Sequence, residues 1–61
     1  MRTFTFYGLD ETGAIEASTE FQAATLAEAV AFARARLAQH HMVELWEGAV
    51  RELRERRGGK A

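Results

Sequence analysis

Hydrophobic and polar positions along this chain follow two different periods. From residue 3 to 23 they alternate, interrupted at Asp10-Glu11-Thr12-Gly13; from 25 to 39 apolar residues recur about every 3.6 positions. The first pattern predicts a β-hairpin and the second a helix laid across it. In the first strand, Thr3-Phe4-Thr5-Phe6-Tyr7, β-branched and aromatic residues suit a pleated surface. Phe4 and Phe6 share one face, and Thr3, Thr5 and Tyr7 share the other. Asp10 to Gly13 joins a side chain that bonds its own backbone to a residue that tolerates positive φ, which marks a turn. In the second strand Ile15, Ala17, Thr19 and Phe21 point one way, and Glu16, Ser18, Glu20 and Gln22 the other. One face is expected against a core and one against water.

The helix has a recognisable start. Thr25-Leu26-Ala27-Glu28 matches the capping box, in which the threonine hydroxyl and the glutamate carboxylate satisfy free amides of the first turn. Leu26, Ala29, Val30, Ala33 and Leu37 form one stripe, whose small residues let the helix sit close to a sheet. Phe32 falls about 120° from that stripe, so it is either rim packing or a contact for another chain. His40-His41 closes the segment and reads as a solvated helix end, where an imidazolium suits the dipole.

The last third supports two readings. Val43, Trp46, Val50 and Leu53 are spaced three, four and three apart, as on a second helix. Met42-Val43-Glu44-Leu45-Trp46 is instead strand-forming, and Glu47-Gly48 could turn a hairpin. Gly48 would cost a helix interior about 1 kcal/mol relative to alanine.

Three segments together, Phe6 to Gly13, the helix from Ala23 to Leu37, and Val43-Glu44-Leu45-Trp46-Glu47-Gly48, resemble a group of small uncharacterised bacterial proteins of the domain-of-unknown-function type. Those share a hairpin, a helix, a strand reading Val-Glu-Val/Leu-Trp-Asp/Glu-Gly and a short closing strand. The resemblance covers about residues 3 to 54 and implies a ββαββ fold with no activity. The chain departs from it in the last strand, where Val50 and Leu53 lie three apart, which calls for a bulge or a helical end. A weaker likeness runs to HicB-type antitoxins, whose ββαβ domains start a helix with Thr-Leu-x-Glu-Ala after a hairpin, as Thr25-Leu26-Ala27-Glu28-Ala29 does here. The proline-glycine stretch before their helix is missing, so this is analogy of fold.

The expected architecture is α+β: one small antiparallel sheet in the order 2-1-3-4, with a single helix packed across one face. Strand 1 is placed centrally because it is the most apolar. The expected core is Phe4, Phe6, Ile15, Ala17, Phe21, Leu26, Ala29, Val30, Ala33, Leu37, Val43 and Leu45, and the open face carries Thr3, Thr5, Tyr7, Glu44 and Trp46. Residues 1–54 form one domain and residues 55–61 a flexible basic tail.

Size changes how that fold must be stabilised. A chain of 61 residues buries only about 60% of the surface its unfolded form exposes, so it is marginal alone. There is no cysteine, which removes disulfides and thiolate metal sites and leaves a partner subunit as the favoured remedy. With 48% apolar residues and no proline, the body of the chain is not a disordered linker. Neither a secretory h-region nor a run of about 18 apolar residues is present, so a cytoplasmic location without a membrane is expected. The net charge of −1 conceals an asymmetry. Residues 1–30 hold Arg2 against Asp10, Glu11, Glu16, Glu20 and Glu28, a balance of −4, and residues 31–61 balance at +3. Such a division could steer a partner or a second copy.

Candidate chemistry is sparse. The adjacent His40 and His41 diverge by about 100° on a helix, unlike zinc ligands spaced to share a face, and no metal or cofactor is expected. No carboxylate sits in a recognisable acid/base context, so the chain reads as non-enzymatic. Tyr7, Phe32 and Trp46 are the candidate contact residues for a protein partner, in first place a second copy of the chain, because aromatics are enriched at interfaces. The alternative is an antitoxin-like or regulatory protein whose Arg51, Arg54, Arg56 and Arg57 meet nucleic-acid phosphates. Glu52 and Glu55 interrupt that run, and a pI of about 6.1 is low for a dedicated nucleic-acid-binding domain.

Overall fold

The computed structural model describes residues 1–58. Strands β1 (Arg2–Leu9) and β2 (Ile15–Ala23) form the hairpin, helix α1 (Leu26–Ala35) returns across it, and β3 (Met42–Glu47) and β4 (Val50–Arg56) form a second hairpin. All pairings are antiparallel and the sheet order is β2-β1-β3-β4. The ββαββ fold expected from the sequence is therefore the one observed.

Local chemistry explains each boundary. The Asp10 carboxylate accepts from the Thr12 amide, the Thr12 hydroxyl and the Ala14 amide at 2.7–3.0 Å, which closes the first turn. The Thr12 hydroxyl first, then those amides, hold the Asp10 carboxyl below the ordinary carboxylate range. At the start of α1 the Glu28 amide donates to the Thr25 hydroxyl, and the Glu28 carboxylate accepts from the Ala24 amide, both at 3.2 Å. The capping box is thus reciprocal, with its second arm reaching one residue further back than the motif prescribes. A 3-10 turn at Arg36–Ala38 tightens the end of α1. The second hairpin turns on two residues, Gly48 and Ala49, with φ +60° at the glycine alone, the backbone pattern of a type II′ loop.

The core lies between α1 and the two central strands. Ala29 and Ala33 are buried against Phe4, Phe6, Ala23, Val43 and Leu45. Their short side chains bring the helix axis close to the sheet, and large side chains from the strands fill the layer. All four phenylalanines join one cluster: Phe4 stacks on Phe21, Phe21 stacks on Phe32 at 4.0 Å between centroids, and Phe32 meets Phe6 edge-on. At one end Arg2 donates twice to the Glu47 carboxylate, at 2.7 and 2.9 Å, above the Phe4 ring. That fork holds the Glu47 carboxyl below, and the Arg2 guanidinium above, its ordinary range.

Two bulges separate the observed faces from simple alternation. In β2, Ile15 and Glu16 together oppose Leu9. One extra residue reverses the facing of everything beyond it. Ile15, expected in the core, is therefore 60% exposed on the open side of the sheet, and Ala17 is only partly buried. In β4, Glu52 is the extra residue between the pairs Leu45–Leu53 and Trp46–Arg51. This resolves the three-residue spacing of Val50 and Leu53: the segment is a bulged strand and not a helix. β4 also continues to Arg56, which pairs with Met42, so Glu55 and Arg56 belong to the sheet rather than to a tail starting at 55. The expected tail residues Gly59, Lys60 and Ala61 lie outside the described residues. Phe21, Leu26, Val30, Phe32, Leu37 and Leu53 pack partly buried around the core, and Leu9 and Ala23 are buried although the expected core omits both.

Phe6 touches β3, the phenylalanine cluster and His40, so its removal should be felt by every layer. Phe6→Ala is expected to cost about 3–5 kcal/mol in urea unfolding. That is comparable with the whole stability of a chain this small, roughly 3–9 kcal/mol. A Phe6→Ala variant unfolding cooperatively near the wild-type midpoint would show that the core is anchored elsewhere.

Candidate functional site

Among the described residues there is one α-helix, and it covers one face of the sheet. The other is built from every second residue of four strands in cross-strand rows. Glu20, Thr5, Trp46 and Arg51 form one row, and Ser18, Tyr7, Glu44 and Arg54 the next. Ile15, Leu9, Met42 and Arg56 form a third, more apolar row. The centre of this face is a shallow groove of about 280 Å³, lined by Thr5, Tyr7, Ile15, Glu44, Trp46 and Gly48. Of the expected open-face set, Thr5, Tyr7, Glu44 and Trp46 line this groove, and Thr3, paired with Gln22, lies on the same face outside its lining.

Glu44 organises the groove. Its side chain is 16% exposed; one carboxylate oxygen accepts from the Trp46 indole at 2.8 Å. The other lies 3.8 Å from both Arg51 and Arg54. The indole is therefore held in orientation, and the carboxylate is neutralised from the β4 edge. The bulge at Glu52 makes the arginine row possible: strict alternation would put Glu52 beside Arg54 and Arg56, and the extra residue puts Arg51 there instead. Arg54 also contacts the Met42 sulfur at 3.2 Å. Arg57 does not join them, because its guanidinium donates to the Ala38 carbonyl on the helix side. Leu9, only 7% exposed, lies on the open face between Ile15 and Met42, outside the helix-side cluster.

Phe32 is on the other side of the molecule from Tyr7 and Trp46. Phe21 stacks on its ring, and the Arg36 guanidinium sits over that ring at 3.5 Å from the centroid. Phe32 thus packs, half-buried, at the rim of the core. A larger, very open hollow of about 760 Å³ runs along the helix flank past Leu26, Val30 and Arg34. Half of its lining residues are alanines and Arg34 is the one charged group among them, so the smaller groove is the better candidate.

Set against protein-family models, curated proteins and solved structures, the chain matches none of them. The groove must therefore be interpreted from its own chemistry. What converges there are two π faces, one carboxylate and a line of guanidinium groups, a set suited to recognition. Among the described residues no helix is long and apolar enough to cross a membrane.

His40 departs from the expected solvated helix end. Its ring is 15% exposed, lies over Gly8 of β1, and has Nδ1 2.6 Å from the Glu16 carboxylate. A Cβ on Gly8 would sit 2.7 Å from three ring atoms of His40. The close approach thus requires glycine, and the β2 bulge supplies Glu16. A glycine inside a strand is the sequence signal for such an approach. Gly8→Ala is expected to destabilise the fold by about 1–3 kcal/mol through this overlap. In a His40→Ala background the same substitution should cost much less. Equal costs in both backgrounds, measured by urea unfolding, would show that His40 is not what Gly8 accommodates.

Proposed function

We propose that this chain is a small non-enzymatic interaction module that pairs with a second copy of itself through the open face of the sheet. The observation that carries this reading is the face itself: Tyr7, Trp46, Leu9, Ile15 and Met42 lie where the helix does not reach, between an edge that carries Glu20 and an edge that carries Arg51, Arg54 and Arg56. Sheets gain stability when both faces are covered, and a second copy is a cover of matching size and shape. Four strands spaced about 4.8 Å apart and seven residues long present roughly 500 Å² per copy. The resulting total of about 1,000 Å² is at the lower bound for a specific interface, which predicts a dimer of modest affinity.

A second reading is supported by the line of Arg51, Arg54 and Arg56 beside Trp46 and Tyr7. Bases of single-stranded nucleic acid stack on such rings while phosphates meet the guanidinium groups. Against it, Glu44 already occupies the centre of the line and Glu20 lies on the opposite edge, so little net positive charge is left.

Sedimentation equilibrium at micromolar concentration is expected to give a mass near twice 6.8 kDa. Replacing Trp46 with serine should return the mass toward that of the monomer with the circular dichroism unchanged. A chain that stays folded and monomeric yet retains a mixed-sequence oligonucleotide, with affinity falling steeply as salt rises, would favour the second reading instead.

A further inference from the structure

We propose that the second copy lies face to face with its twofold axis parallel to the strands, so that β4 of each copy covers β2 of the other. This rests on the dimer reading above and specifies its geometry. In the aligned class of sheet packing the strands stay within about 30° of one another, which gives an in-plane twofold axis two orientations. An axis perpendicular to the strands places each strand over its own equivalent. Arg51, Arg54 and Arg56 would then face the same three arginines of the partner, and like charges brought together oppose association.

An axis parallel to the strands reverses each cross-strand row over itself. Arg51 then faces the partner's Glu20, Trp46 covers the partner's Thr5, and Tyr7 stands over the partner's Glu44. In the apolar row, Leu9 meets the partner's Met42. Each copy donates and receives the same contacts, as an isologous interface requires. Glu20 suits the role because it is exposed and, among the described residues, forms no ion pair within its own chain. The opposition of Glu20 to the arginine row thus becomes a device that selects orientation. It also needs the bulge at Glu52, without which the residue facing the partner's Glu20 would be acidic.

Charge reversal tests this with residues that are exposed on the sheet surface. Glu20→Arg and Arg51→Glu should each weaken self-association roughly tenfold or more, because attraction becomes repulsion at two symmetric contacts. Mixed together, the two variants should form a heterodimer of near wild-type affinity, since both contacts are again between opposite charges. Native mass spectrometry of the mixture, with circular dichroism of each variant, reads this directly. An Arg51→Glu homodimer tighter than wild type would indicate the perpendicular axis and overturn the proposal while leaving the dimer intact. A dimer in which mixing restores nothing would likewise overturn it. A monomeric wild-type chain, with or without bound oligonucleotide, would overturn the dimer reading and this geometry together.

Discussion

Everything in this molecule follows from the seating of one short helix on one face of a four-stranded sheet. Ala29 and Ala33 allow the close approach, and Phe4, Phe6, Val43 and Leu45 fill the layer they leave. Ten helical residues reach across the central strands but cannot wrap the sheet. The fold therefore has one dry layer and one uncovered surface. The helix side is closed at its margins by charged groups set on the core: Arg2 with Glu47 over Phe4, Arg36 over Phe32, and Arg34 with Glu55 joining α1 to β4. These pairs are partly exposed and individually weak, so they fix orientation more than they stabilise.

The two bulges convert this simple layout into a specific one. The bulge at Glu16 sends Ile15 to the open face and brings its own carboxylate to His40, which lies over Gly8. The bulge at Glu52 aligns Arg51 with Arg54 and Arg56 and lets Leu53 pack below. In both cases one residue outside the regular pairing changes which chemistry each face of the sheet carries. Bulges of this kind commonly re-aim side chains at functional surfaces.

Where the sequence is periodic, its structure is legible. Alternation in residues 3–7 specifies the faces of β1, and the stripe through Ala29 and Ala33 specifies the buried side of α1. The motif from Thr25 to Glu28 marks the helix start to the residue. Legibility ends where a single residue breaks the period, because nothing in Glu16 or Glu52 themselves announces a bulge. The spacing of Val50 and Leu53 carries one such break, and it imitates a helical stripe. Phe32 and His40 are obscure for another reason: their places depend on Phe21, Glu16 and Gly8, which are distant in the chain. The aromatic half of the open face can be read from β1 and β3, but its arginine row requires the register of β4.

The central claim is that the uncovered face is the one that meets a second copy, and the chain contains its own reporter for it. Trp46 is the only tryptophan and stands in the open groove, remote from the helix-side core. The decisive measurement is acrylamide quenching of its fluorescence across a dilution series that spans the self-association range. Burial under a second copy predicts that quenching rises and the emission shifts to longer wavelength as the protein is diluted, with a midpoint matching the sedimentation data. Quenching that stays constant while the mass halves would place the interface elsewhere and contradict the account.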